Sequence, residues 1–371
     1  MPASRRVLCL SMPLRRRGAA SGLAAALAGA VLASAISSPA RAAPGLDGTR
    51  NLGMGGATRA SATGTGAMLV NPGNMGMTRQ FLIDPVYQVQ LENNTHGAGV
   101  LAMDSLLNPR VAVGLGYIAT FGGPRVSFKD ETGATKELGL FQQGHEVGLP
   151  IAFNAILGWL AFGVRPKFQY TSLRFLDGDN KKQDVFKARS AFGLDLSMTI
   201  SLARYVNVAV IGQNLVGPSP PVVTPDLTPY MVMDGTLERH RLSQLSDFPR
   251  TVAHGLALFP TRNPGFSLNF DGLYDFTSFQ HQNKYTRMVF SGGAEYTIKG
   301  MVPLRFGGYW DSRGRGKEDD RGFIAFGLGF QRDAPKGGIG YDLGFGFSRQ
   351  VTGPYPETRL ALNLGLRINP N

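Results

Sequence analysis

The chain has 371 residues, with 38 Lys and Arg against 26 Asp and Glu, and a formal net charge of +12. Six of those positives (Arg5, Arg6, Arg15, Arg16, Arg17 and Arg41) precede residue 42 with no acid among them, so the remainder carries +6, the +12 of the whole less those six. No basic helix or compact Lys/Arg block is left in it, which argues against a nucleic-acid partner. The single cysteine, Cys9, also lies in that leader, which excludes disulfides and thiol chemistry from residues 43–371.

Residues 1–42 read as a signal peptide. Arg5, Arg6 and Arg15 to Arg17 form a positive n-region, Gly22 to Ile36 an apolar h-region, and Ala40-Arg41-Ala42 a small-x-small site for cleavage near Ala42. The apolar run is shorter than the roughly 20 residues of a spanning helix. Ser4-Arg5-Arg6-Val7-Leu8 has a twin-arginine flavour, but that route exports folded cargo, and the rest of the chain argues against it.

Next comes Arg50 to Gly76, RNLGMGGATRASATGTGAMLVNPGNMG, with no charge between Arg59 and Arg79. Gly53, Gly55 and Gly56 allow positive φ and a close backbone approach. Pro72 pushes Asn71 to an extended shape and ends any helix formed by Gly66 to Val70. A flexible linker is the alternative. Leu52, Met54, Met68, Leu69 and Met75 argue against it, because linkers are polar and methionines suit a compliant apolar site.

From residue 81 onward the apolar residues alternate. In Thr358 to Ile368, TRLALNLGLRI, Leu360, Leu362, Leu364, Leu366 and Ile368 share one face and Arg359, Ala361, Asn363, Gly365 and Arg367 the other. Fourteen strands are predicted, at 81–91, 97–105, 109–119, 145–155, 158–173, 187–201, 205–214, 249–259, 265–278, 286–298, 301–311, 320–332, 337–349 and 357–368. Connections after even strands are short. Those after odd strands are longer and more polar, including 120–144 and 215–248, with 92–96 the short exception. An even strand number with short turns at one end and long loops at the other is the signature of a bacterial outer-membrane barrel, with both termini in the periplasm. A soluble sandwich would bury the apolar faces instead. Long apolar faces opposite faces of Gly, Ala, Asn and charge favour the membrane barrel, in which Trp310 and Trp159 sit at opposite interfaces.

The lumen-facing charges are then Arg165, Lys167, Asp195, Asp271, Asp275, Arg287, Glu295, Arg305, Arg359 and Arg367. They pair across the lumen, since desolvated charges need partners, or Arg165, Lys167 or Arg305 meets a substrate carboxylate. No enzyme is indicated. His96, His145, His240, His254 and His281 are scattered, and neither H-E-x-x-H nor G-x-S-x-G occurs. No cofactor or metal is expected, because Asp177-Gly178-Asp179-Asn180 lacks the Gly and Glu that complete a calcium loop.

Gly53-Met54-Gly55-Gly56-Ala57, followed by Ala60, Ala67 and Asn71-Pro72, resembles the opening of the FadL-type outer-membrane transport proteins and their PorV-like relatives. Gln213-Asn214-Leu215 and Val302 to Tyr309 match more weakly, and Gly73-Asn74-Met75 departs from the Ala-Gly-Leu of the family. The chain also ends Ile368-Asn369-Pro370-Asn371, without the usual terminal aromatic. The resemblance implies a fourteen-stranded antiparallel transmembrane β-barrel over 81–371, plugged by an N-terminal hatch at 43–80. It also implies transport of hydrophobic, fatty-acid-like molecules across the outer membrane and a side exit at the third strand. Pro150 and Pro166, in the fourth and fifth strands, each remove a ladder donor and are the gate candidates from the residues themselves. Expected partners are outer-membrane lipid and lipopolysaccharide (facing Glu318-Asp319-Asp320 in an external loop), a hydrophobic small molecule and the barrel-assembly machinery. The alternatives are a PorV-like shuttle for secreted proteins and a general diffusion pore.

Overall fold

A computed structural model describes residues 46–368, apart from 93, 107, 124, 130–134, 177–181, 203–204, 217–248, 262–264, 277–285, 313–316, 333–337 and 355. The signal peptide at 1–42, His240, His281, the Asp177 to Asn180 loop and the last three residues lie outside this description.

The wall consists of antiparallel strands β1 (Phe81–Gln90), β2 (Thr95–Asp104), β3 (Val111–Gly122), β4 (Arg125–Lys129), β5 (Thr135–Gly148), β6 (Ile151–Ile156), β7 (Leu160–Leu176) and β8 (Lys182–Leu202). It continues with β9 (Val206–Val216), β10 (Thr251–Leu258), β11 (Phe266–Asp275), β12 (Arg287–Ile298), β13 (Val302–Asp311), β14 (Arg321–Arg332), β15 (Ile339–Thr352) and β16 (Thr358–Ile368). From β1 to β3 and from β6 to β16 each strand pairs with the next one in sequence, and β1 pairs with β16, which closes the ring. β5 and β6 are two halves of one crossing, since β3 and β7 each pair with both. β4 pairs only with β5 and stands outside the ring, so the wall is a closed fourteen-stranded barrel.

One difference from the sequence reading lies in 120–144, expected as a long loop. There β3 runs on to Gly122, β5 begins at Thr135, and β5 pairs with β7 out to Leu176. The extension carries polar residues such as Lys136, Glu137, Gln142 and Gln143, so it lacks the apolar alternation that lipid imposes on the rest of the wall.

The alternating faces sort as the period of two requires. Ile324, Phe326, Leu328 and Phe330, like Leu362, Leu364 and Leu366, point outward and are exposed, while Ala325 and Ala361 point inward and are buried. Outward apolar residues occur on every side of the ring, far beyond the few hundred Å² of a soluble monomer's patch. A closed ladder leaves no strand edge unpaired, which is the condition for a sheet in hydrocarbon. Aromatic rings band both rims. At the long-loop end Tyr87, His96 and Phe121 lie together, and Phe290 stacks on Trp310 with centroids 6.1 Å apart. At the short-turn end are the exposed Trp159 and the pairs Phe266–Tyr296 and Phe330–Tyr341. No described helix is long and apolar enough to cross a membrane; the crossings are strands.

Inside the ring lies the N-terminal segment. It contains helix α1 (Thr49–Gly53), helix α2 (Gly64–Val70) and a 3-10 turn at Pro72–Met77. α1 lies against β13 to β16, α2 against β1 and β2, and the turn against β3, β6, β7 and β8. Met54, Ala57, Ala60, Ala67, Asn71 and Met75 have no exposed surface.

Candidate functional site

The glycine run meets the wall backbone to backbone. A Cβ on Gly53 would stand 2.7 Å from the Gly327 Cα, and one on Gly55 would stand 2.5 Å from the Gly308 nitrogen. Gly55 also has φ of +64°, so two separate constraints select glycine there. The Met54 carbonyl rests on Gly293 and Gly307, which provide flat wall where any side chain would collide. Gly56 faces Ser291 with more room.

Polar side chains pin this segment around the ring. Arg50 makes a two-pronged contact with Glu295, with Nε to Oε2 and Nη2 to Oε1 both 2.9 Å. Arg59 donates its backbone amide to Asp271 at 2.8 Å, and its guanidinium lies 3.3 Å away. Asn71 donates to the Arg59 carbonyl at 2.6 Å and to the Thr199 hydroxyl at 2.8 Å. Pro72 starts the 3-10 turn, and the Gly73 amide donates to Ser197 at 2.9 Å. The departure of Gly73 from the family pattern therefore has a seat: Gly73 lies against Gly163, and a Cβ on it would crowd Ser197 and the Gly163 backbone at 3.2–3.3 Å.

The three basic residues singled out from the sequence all face the lumen, and all are paired. Arg165 binds Glu146, reaches Asp195 at 3.3 Å and donates to the Met68 carbonyl at 2.7 Å. Lys167 donates to Asp195 at 2.9 Å. Arg305 donates to Glu295 at 2.6 Å, so that one carboxylate holds both Arg305 and Arg50. Arg165 and Lys167 share a cluster, while Arg305 lies across the ring on β13. Cross-strand register makes these pairs, since Arg165 stands opposite Asp195 and Glu295 opposite Arg305.

One sector of the lumen is apolar. Leu82, Val86, Leu101, Met103, Ala112 and Ala152, from β1, β2, β3 and β6, pack against Met68, Val70 and Met75 of the inner segment. β3 contributes Gly114 and Gly116 here. A Cβ on Gly114 would stand 2.9 Å from the Met68 terminal methyl and 3.1 Å from that of Met75. Sequence reasoning marked the methionines but not these wall glycines, whose signal was a Gly-x-Gly on an inward face.

Behind this sector the wall is broken. The Gly114 amide donates to the Pro150 carbonyl at 2.8 Å, and the Leu149 amide donates to the Pro166 carbonyl at 3.0 Å. Neither proline has an N–H to return, so the strand made of β5 and β6 loses a ladder bond on both edges within two residues. The register is the same on either side of the gap, Gly116↔Gly148 before it and Val113↔Ile151 after it, so the interruption is chemical rather than a slip. Pro85 leaves a gap in the ladder on one edge only, between β1 and β16.

No ligand-bearing metal cluster of His, Cys, Asp or Glu occurs among the described residues. No family model and no curated protein matches the sequence. Solved structures do match the fold. The CymD monoaromatic hydrocarbon channel is 11% identical, with a TM-score of 0.61 over 87% of this chain and 97% of that one. The toluene transporter TbuX of Ralstonia pickettii is 13% identical, with a TM-score of 0.57 over 87% and 98%. A FadL homologue of Pseudomonas aeruginosa is 11% identical, with a TM-score of 0.56 over 87% and 98%. At these identities the likeness is one of architecture, and it assigns the chain the fold of the FadL-type outer-membrane barrels.

Proposed function

We propose that this barrel carries hydrophobic small molecules across the outer membrane, with residues 46–80 as a plug and the Leu149–Pro150 interruption as the side exit. The observation that carries this reading is a coincidence of place. The apolar, methionine-lined sector of the lumen covers Gly114, and Gly114 is bonded to Pro150, where the wall has lost ladder bonds on both edges. Methionines on the inner side adapt to ligands of varied shape. Each missing ladder bond lowers the cost of parting the strands by about 1 kcal/mol. Outside the gap, Val113, Leu115, Leu149 and Ile151 present an apolar surface continuous with lipid.

The solved barrels of the same fold are named for hydrocarbons and toluene, which agrees with this class of cargo. Fatty acids are the second cargo. Arg165, Lys167 and Arg305 would greet a carboxylate only by exchanging it for Glu146, Asp195 or Glu295. Extraction of the protein purified from membranes, followed by mass spectrometry, tests the assignment. A stoichiometric hydrophobic molecule supports it. Co-purifying secreted proteins with no such molecule would favour the shuttle, and steady planar-bilayer conductance in the unmodified protein would favour a diffusion pore.

A further inference from the structure

Inward-facing residues of β12 to β16 near the long-loop rim are nearly all polar. Arg287, Asp311, Arg321, Ser348, Gln350 and Arg359 line this sector. Two aromatic rings interrupt it. Tyr309 of β13 and Phe323 of β14 are direct cross-strand partners, and their rings stack face to face with centroids 4.2 Å apart and an interplanar angle of 8°. Phe323 is 4% exposed, whereas Tyr309 is half-buried. The pair stands one step beyond Gly307 and Gly308, where the plug touches β13. It is therefore the first aromatic surface on the rim side of the plug in this sector.

The pair is held from below and beside. The Arg321 guanidinium lies over the Phe323 ring at 5.1 Å. That guanidinium is itself fixed by Asp311 at 2.8 Å and Glu357 at 3.0 Å, with 2% of the side chain exposed. Stacked face to face and braced by a buried ion triad, the two rings form a preorganised plate at the rim side of the inner segment.

We propose that Tyr309 is the ligand-facing plate of a lumenal aromatic platform, which selects planar ring compounds over aliphatic chains. The inference rests on the reading of the barrel as a channel for hydrophobic molecules. An aromatic ligand gains a stacking term beyond its buried area, and an alkyl chain of equal area does not. The corresponding preference is roughly three- to tenfold.

The test titrates fluorobenzene and 1-fluorohexane into the purified full-length barrel and follows binding by fluorine NMR. The comparison covers the unmodified protein, Tyr309→Leu and Tyr309→Phe, with heat-modifiable gel mobility confirming a folded barrel in each. The unmodified protein and Tyr309→Phe are expected to bind fluorobenzene about three- to tenfold more tightly, with an upfield ring-current shift. Tyr309→Leu is expected to bind the two ligands alike. A ring preference that survives Tyr309→Leu, or no ring preference in the unmodified protein, overturns the platform. Uptake of both probes by cells producing the unmodified barrel is measured alongside. A ring preference in binding without any uptake sinks the transport reading and leaves the platform standing. Uptake with no effect of Tyr309→Leu on the ring preference does the reverse.

Discussion

The Leu149 amide donates to the Pro166 carbonyl at 3.0 Å, and Pro166 has no N–H to give back. One residue on, Pro150 fails in the same way toward Gly114. Restoring both donors with Pro150→Ala and Pro166→Val should add about 1–3 kcal/mol to the wall by completing two ladder bonds. If the gap is the exit, the double variant will resist heat or denaturant better than the unmodified barrel while taking up hydrophobic cargo more slowly. Measuring the unfolding midpoint and initial uptake rate on the same preparations checks this. A stabilised barrel with unchanged uptake would place the exit elsewhere.

Glu295 holds two guanidinium groups, Arg50 of the inner segment and Arg305 of the wall. Glu295→Gln removes the carboxylate and leaves the buried Arg305 and the partly exposed Arg50 without it, a change that costs about 3–5 kcal/mol where both partners are fully buried and less here. The cost should appear as a loosened inner segment. Trypsin cleavage after Arg50 in the folded barrel is expected to accelerate at least about tenfold, since about half of the lower end of that range remains once the partial exposure of Arg50 is allowed for. Unchanged cleavage would show that the backbone contacts alone secure the segment.

Arg305→Ala separates the two roles open to that residue. Because Arg305 is bound to Glu295 at 2.6 Å, its loss should lower uptake of a fatty acid and of an uncharged hydrocarbon by the same factor. A selective loss of the fatty acid would instead mean that the carboxylate of the cargo displaces Glu295 during passage.

Gly55 and Gly56 both have positive φ, at +64° and +87°, but only Gly55 abuts the wall backbone. Alanine at either position carries the roughly 1–2 kcal/mol conformational cost of a left-handed residue. Gly55→Ala adds a collision with Gly308 that neither backbone can relieve. It should raise bilayer conductance clearly above that of Gly56→Ala if the inner segment blocks the lumen, since that segment must shift. Equal conductance in the two variants would contradict the backbone-contact account.

The Glu92 turn at the long-loop end titrates independently of the lumen. Burial pushes its carboxyl up, but hydrogen bonds from the Thr358 hydroxyl and amide, with Arg349 beside them, hold it below the ordinary carboxylate value. A depressed folded-state value means that the stabilisation is fully present above the unfolded value, near 4.3. It is lost as the pH falls through the lower, folded value. Hydrogen exchange at the Thr358 amide should therefore accelerate beyond its intrinsic pH dependence only below about pH 4. No such acceleration is expected in Glu92→Gln, whose turn is already weakened.

Much of this architecture was legible in the residues. Leu362, Leu364 and Leu366 announce an outward lipid face because hydrocarbon selects one residue in two, and Gly53 to Ala57 announce close backbone contact. The strand extension at Thr135 to Gly144 was not legible, because beyond the lipid band nothing enforces the alternation. Arg165, Lys167 and Arg305 could be placed in the lumen, but Glu146 and Glu295 became their partners only once register set neighbouring strands side by side. Pro150 and Pro166 were visible as two separate lost donors. That they flank one peptide is a fact of pairing, which strand periodicity does not encode.

The central claim is that hydrophobic molecules enter this lumen and leave through the wall. It is tested most directly by uptake of radiolabelled toluene in cells without other channels of this fold. The cells would produce either the unmodified barrel or a variant with Leu149 and Leu115 replaced by cysteines and cross-linked across the gap. The account predicts uptake well above background in the unmodified barrel, near background in the cross-linked variant, and restored when the disulfide is reduced. Uptake unaffected by the cross-link, or no uptake in the unmodified barrel, would contradict it.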